Sequence, residues 1–170
     1  MDLTQLKPGD CLLYSPKKSS VFGWLISIKT WHRISHCECY IGDGYSAASR
    51  DGMGVNVYPV RLEGLNKVYR PKAEYKFSLA KAIQWFLLEA KGQKYDWIGL
   101  LRFTWGQPYV NGAKNNRQFC SEFLTRFYRA GGLDPFNDED ADAVPPYLFS
   151  ISPVFEKVNI DVDNNRQVGS

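Results

Sequence analysis

Two short stretches of this chain carry the residue types of thiol chemistry. In Phe119-Cys120-Ser121-Glu122-Phe123, the cysteine is followed by Phe123, Leu124, Phe127 and Tyr128 at i+3, i+4, i+7 and i+8. That spacing puts all five on one face of a helix predicted from about Phe119 to Ala130 and stopped by Gly131-Gly132. Cys120 then lies in the first turn and points inward. Unpaired N–H groups and the helix dipole at that end favour a thiolate, the form of cysteine that attacks carbonyls. Glu122 and Arg126 fall off the stripe as an i,i+4 ion pair. On this feature alone a buried structural cysteine, a common arrangement, is the favoured reading.

The second stretch is Ser35 to Ile41, whose alternation predicts a strand. His36, Glu38 and Tyr40 share one of its faces, and Cys37, Cys39 and Ile41 the other. A histidine with a carboxylate two residues along a strand can be held in one tautomer, as a general base requires. Asp43-Gly44 predicts a two-residue hairpin turn that pairs Gly42 with Tyr45 and Glu38 with Ser49. Ser49 is thus a second candidate orienter of His36. Tyr40 is a candidate for lining the site. Trp24, Trp31 and Trp105 either wall a substrate groove or enter the core. The bland alternative is a solvent-facing strand of ordinary polar residues.

Other chemistries fit less well. A zinc site from His32, His36, Cys37 and Cys39 is opposed by the alternation, which separates His36 from both cysteines, and no Cys-x-x-Cys pair follows. There is no Gly-x-Ser-x-Gly nucleophile elbow and no phosphate-binding glycine loop. The reading needs no metal and no cofactor.

These groups need elements to hold them. Strands are expected at Cys11 to Tyr14, Tyr45 to Ser49, Gly54 to Val60, Lys67 to Arg70 and Phe155 to Val158. Helices are expected from Ser19 or Ser20 to about Trp31, from a Ser78 cap to Gly92 and, shorter, over Asp96 to Phe103. The middle helix should bury Leu79, Ala82, Ile83, Phe86, Leu87 and Ala90. Gly106 to Asn116 and the acidic run Asp138 to Asp142 read as loops. Strands first and helices later give an α+β class, with one domain over residues 1–160 and a frayed tail at 161–170.

The 170 residues, 44% hydrophobic and 15% aromatic, support a real core. A net charge of +3 with scattered Lys and Arg argues against a nucleic-acid partner. No apolar run approaches the length of a membrane span. The N-terminus lacks the pattern of a signal peptide, so the four cysteines are expected to stay reduced.

Taken together, several motifs resemble the circularly permuted NlpC-type papain-like superfamily, whose relatives include YiiX-like hydrolases and lecithin retinol acyltransferases. They are Leu6-Lys7-Pro8-Gly9-Asp10-Cys11, Ile34-Ser35-His36, Tyr40-Ile41-Gly42-Asp43-Gly44, Gly92-Gln93-Lys94-Tyr95-Asp96, Phe119-Cys120-Ser121-Glu122 and the closing Pro145 to Phe155. The match spans about residues 6–158. His36-Cys37-Glu38 followed by Ser46 to Gly52 looks most like bacteriophage-encoded members. The resemblance implies an antiparallel sheet or partial barrel packed on helices, with Cys120 as nucleophile and His36 as base, in permuted order. Where many members carry a third polar residue this chain has Ala48, so either Glu38 or Ser49 takes that role or the dyad works without one. The expected activity is an amidase or peptidase acting through an acyl-enzyme, on a peptide, peptidoglycan or other acyl substrate. Tyr40, Ser49 and Trp105 are the expected substrate contacts. A thiol acyltransferase, a lipid-ester hydrolase or a catalytically silent virion or binding module are the alternatives. A cytoplasmic or virion-associated location is expected.

Overall fold

A computed structural model describes residues 3–16, 31–96, 116–137 and 139–160. The helix expected near residues 19–31, the short helix after Asp96, most of the 106–116 loop, Trp24, Trp105 and the tail lie outside the described residues.

The architecture is α+β. Six strands form an antiparallel sheet: β1 (Cys11–Tyr14), β2 (His36–Gly42), β3 (Tyr45–Arg50), β4 (Gly54–Pro59), β5 (Leu65–Pro71) and β8 (Phe155–Val158), in the order β4-β3-β2-β1-β5-β8. Two two-residue strands, β6 (Lys94–Tyr95) and β7 (Arg117–Gln118), pair in parallel. Two helices, α1 (Leu79–Trp85) and α2 (Cys120–Ala130), pack on the sheet.

Alternation sorts the strands. Cys11, Leu13, Cys37, Cys39, Ala47 and Val55 face the helices, where they meet Phe86, Phe123, Leu124 and Phe127. Leu12, Tyr14, Tyr40, Leu65 and Val68 form a second cluster on the other face. Both faces of β1 are therefore buried, and its four residues form a continuous apolar run. The Tyr128 hydroxyl donates to the Gly9 carbonyl at 3.0 Å and ties α2 to the turn that starts β1.

Two expectations need correction here. The Ser78 cap on α1 is present, its oxygen accepting from the Lys81 N–H, but the helix passes into a π turn over Phe86–Ala90. The Lys91 N–H bonds the Phe86 carbonyl at 2.8 Å, five residues back. The wider turn shifts the buried face, so Ala82, Phe86 and Ala90 are buried while Leu87 is exposed. In the hairpin, Asp43 and Gly44 both have positive φ and Gly42 pairs with Tyr45 as expected. A bulge at Ile41 then pairs Tyr40 with Ser46 and Cys39 with Ala47. One extra residue moves the register by one and swaps faces. Ser49 therefore does not face Glu38; Ser46 and Arg50 lie on the Glu38 side instead.

The link from β4 to β6 depends on a missing side chain. Gly54 has φ +77°, and a Cβ there would meet the Gln93 carbonyl oxygen at 2.3 Å. That closeness lets the Val55 N–H bond the Gln93 carbonyl and the Gly92 N–H bond the Val55 carbonyl, both at 2.8 Å. Gly54→Ala is expected to destabilise the fold by at least about 1–3 kcal/mol, from backbone strain plus this collision. A urea midpoint unchanged from the parent would refute the assignment.

Candidate active site

Cys120 is the first residue of α2, and His36 and Cys37 are the first two of β2. These three side chains meet. The His36 ring hydrogen-bonds the Cys120 sulfur, and the neighbouring Cys37 thiol and backbone favour its ionised form. Strand alternation puts His36 and Cys37 on opposite faces, yet at this strand end both act on the same sulfur. Phe119, the N-cap, makes no side-chain cap hydrogen bond of its own.

Other elements fix where α2 begins. β7 runs directly into it and is held beside β6, with Lys94 opposite Arg117 and Tyr95 opposite Gln118. The Ser49 hydroxyl donates to the Gln118 carbonyl at 2.6 Å and ties β7 to β3. Within α2, the Ser121 hydroxyl donates to the Val144 carbonyl at 2.6 Å. On the other side, Tyr14 of β1 pairs with His36, and the two rings lie 5.7 Å apart.

Behind His36 stands a buried carboxylate. His36 Nε2 lies 2.9 Å from Glu38 Oε1, and Glu38 is 0% exposed. Arg50 donates to both its oxygens, at 2.8 and 2.9 Å, Arg61 at 3.3 Å and the Ser46 hydroxyl at 2.5 Å. The Arg50 guanidinium also lies over the Tyr58 ring and that of Arg61 over the Tyr14 ring. With Nε2 committed to Glu38, Nδ1 is the ring nitrogen left to exchange a proton with Cys120.

The electrostatics follow this geometry. The Cys37 thiol hydrogen bond, followed by the His36 charge, outweighs burial and holds the Cys120 thiol well below its usual range. Burial opposes charge on His36, but the Cys120 sulfur and Glu38 outweigh it and raise the ring to about 9. Burial would also raise Glu38; hydrogen bonds and charge from His36 and Arg50 hold it well below the carboxylate range instead. Burial pushes Cys37 up, so the two neighbouring sulfurs differ: one thiolate, one thiol.

The stability linkage of the pair has a definite sign. The raised His36 gives stability that is complete below about pH 6.5 and lost as pH rises through about 9. The lowered Cys120 gives stability present above its ordinary pKa of about 8.5 and lost as pH falls. Between those limits the folded and unfolded chains hold equal numbers of protons on the two groups, so their slopes cancel. The ion pair therefore shows itself in reactivity. At pH 6, iodoacetamide is expected to label Cys120 at least about tenfold faster than Cys11 or Cys39, whose thiols burial holds protonated. Equal rates for all four cysteines would remove the pair.

Sequence reasoning placed Cys120, His36 and Glu38 together, and they are together. Two of the other expected residues are not at the site. Tyr40 is buried in the second cluster, and its hydroxyl accepts from the Gly44 N–H at 3.3 Å, closing the hairpin. Ser49 is fully buried and spends its hydroxyl on Gln118, for the register reason given above. Trp105 lies outside the described residues. Trp31 is 94% exposed and so is not core, while His32 stacks on Tyr147 at 4.1 Å. Arg50, Ser46, Arg61 and Cys37 were missed. The bulge hid the first two, and nothing in the spacing links Arg61 to β2.

The surroundings are equally defined. A cleft of about 360 Å³ lies between the β3–β4 turn and the β6–β7 pair, with Met53, Lys94, Tyr95 and Arg117 on its walls. Tyr95 pairs with Gln118, two residues before Cys120, and burial, followed by the Cys120 charge, raises its hydroxyl. All four cysteines are free. Among the described residues no group of three His, Cys, Asp or Glu side chains could hold a metal ion. No helix among them is long and apolar enough to cross a membrane. No family model matches the chain, and no curated protein matches it in sequence.

Proposed function

We propose that this chain is a cysteine-dependent hydrolase of the circularly permuted, NlpC-type papain-like kind, which cleaves an amide bond through an acyl-enzyme. One observation carries the reading: a cysteine at a helix N-terminus hydrogen-bonded to a histidine whose far nitrogen is held by a buried carboxylate. Buried structural cysteines do not need such an arrangement.

The steps follow from the positions. His36 holds the proton of Cys120, and the thiolate attacks the carbonyl carbon. The negative oxygen is stabilised by the Cys120 backbone N–H, one of the first-turn donors that have no acceptor within the helix itself. The imidazolium gives its proton to the leaving nitrogen as the C–N bond breaks. Water, losing a proton to His36, then attacks the thioester, and the acid leaves with the enzyme restored. Glu38 keeps the ring in the productive orientation throughout.

The cleft lined by Tyr95 and Arg117, close in sequence to Cys120 through β7, is the proposed place for the substrate chain. Lys94 and Arg117 on its wall suit a substrate bearing a carboxylate, as peptides and peptidoglycan stems do. The test is turnover of carboxylate-bearing peptide amides by the wild-type chain and by His36→Ala. The variant should lose at least about a hundredfold in kcat/KM. In the wild type, kcat/KM should fall above about pH 9, where the ring loses its proton. A flat profile across pH 8–10, or an unimpaired variant, would overturn the reading.

A further inference from the structure

Glu38 can orient His36 only if its own carboxylate is held still. The last torsion of a glutamate side chain is broad, so one hydrogen bond to a ring nitrogen would leave the carboxylate free to rock. Arg50 grips it as a fork: Nε donates to Oε1 at 2.8 Å, and a terminal nitrogen donates to Oε2 at 2.9 Å. Two bonds from one rigid plane fix the plane of the carboxylate. They fix with it the direction of Oε1, which lies 2.9 Å from His36 Nε2. We infer that Arg50 is a positioning residue of the reaction, acting through Glu38 to set the orientation of the His36 ring. The inference rests on the proposed function for what that ring does and adds a residue to it.

The fork is itself seated. Arg50 is the last residue of β3 and lies opposite Gly54 of β4. The nitrogen that reaches Oε2 also donates to the Pro59 carbonyl at 2.9 Å, and the guanidinium carbon lies 4.5 Å from the centre of the Tyr58 ring. The Arg50 side chain is 11% exposed, so water competes little for these bonds. Pro59 and Tyr58 both belong to β4, so the base on β2 takes its orientation from two strands away.

Arg61 provides an internal contrast. It reaches the same Oε1 through one nitrogen at 3.3 Å, its side chain is 27% exposed, and its Nε is buried without a hydrogen-bond partner. A single long contact adds positive charge but sets no plane. Charge and geometry are therefore separable at this carboxylate: Arg61 supplies the first, and Arg50 supplies both.

The test compares Arg50→Lys, Arg50→Gln and Arg61→Gln in the whole chain. Lysine keeps the charge that the buried carboxylate needs but cannot fork, whereas glutamine keeps a planar donor without the charge. The chain has two histidines, so the His36 ring can be followed by NMR with His32 as the reference. In Arg50→Lys the His36 midpoint should fall from about 9 by at least about one unit, because a misaligned carboxylate holds the imidazolium less well. In both Arg50 variants the Nε2 proton should exchange with water at least about tenfold faster. Their kcat on carboxylate-bearing peptide amides should fall at least about tenfold with KM unchanged. Arg61→Gln should change each of these by less than about threefold. A merely structural role would lower the urea midpoint and leave the ring proton, its midpoint and kcat of the folded variants alone. That result, or loss of the fold in both Arg50 variants, overturns the inference and leaves the hydrolase standing. A wild type that turns over no amide, with the ring still loosened in Arg50→Lys, overturns the hydrolase instead.

Discussion

Cys120→Ala is expected to lower turnover at least about a thousandfold while the protein stays folded. The rate effect is large because the remaining machinery has nothing to attack with. His36 and Glu38 would still be placed, but only water could take the place of the sulfur, without a covalent intermediate. The fold should tolerate the change. Cys120 contributes a single buried sulfur at the start of α2, whereas Phe123, Leu124, Phe127 and Tyr128 of the same face carry the packing. Removing one sulfur atom costs about 1 kcal/mol, a fraction of the 5–15 kcal/mol typical of a domain. Kinetics with matched urea unfolding curves give both readings. Near-parental turnover would end the hydrolase proposal, and gross unfolding would show that Cys120 is chiefly a core residue.

Glu38→Ala should have the largest effect on stability, about 3–5 kcal/mol, and should also slow Cys120 labelling. The carboxylate is fully buried and serves His36, Ser46, Arg50 and Arg61 together. Its removal leaves two guanidinium groups close together beneath the sheet without a counter-charge. The cost is therefore the stranding of two half-buried cations rather than the loss of a few contacts. Glu38→Gln keeps the shape and some hydrogen bonds and should cost less, yet it removes the charge that helps hold His36 protonated. The same carboxylate predicts an acid limit. Its pKa is depressed in the folded chain, so its stability is present above about pH 4.3 and drains away as pH falls below that. A urea midpoint for Glu38→Ala within about 1 kcal/mol of the parent would refute the network.

The sequence made much of this arrangement legible. Periodicity located α2 and Cys120 at its start, because a helix with an apolar stripe announces its own inward face. The hairpin turn was readable from Asp43-Gly44, whose conformation few other pairs adopt. Three further features depend on things no local pattern encodes. The bulge at Ile41 is a tertiary adjustment, and it moved Ser49 away from Glu38 while bringing Ser46 and Arg50 in. The π turn at Phe86–Ala90 inserts a residue into a regular period and left Leu87 outside. Arg61 comes from the segment between β4 and β5, so its contact with Glu38 exists only once the sheet is assembled. Strand alternation failed for Cys37 for a related reason: it ranks faces, and the meeting point with Cys120 is an end.

The strand order has a consequence for how the molecule comes into being. His36 sits on β2, whereas one edge of the sheet, β8, pairs with β5 from a segment more than eighty residues further along the chain. Cys120 likewise arrives long after its partner. Pairings between such remote segments slow the search for the native state, toward milliseconds or seconds rather than microseconds. A nascent chain therefore carries the His36 imidazole without its sulfur until Cys120 has also been made, and reactivity switches on only once the two segments have folded together.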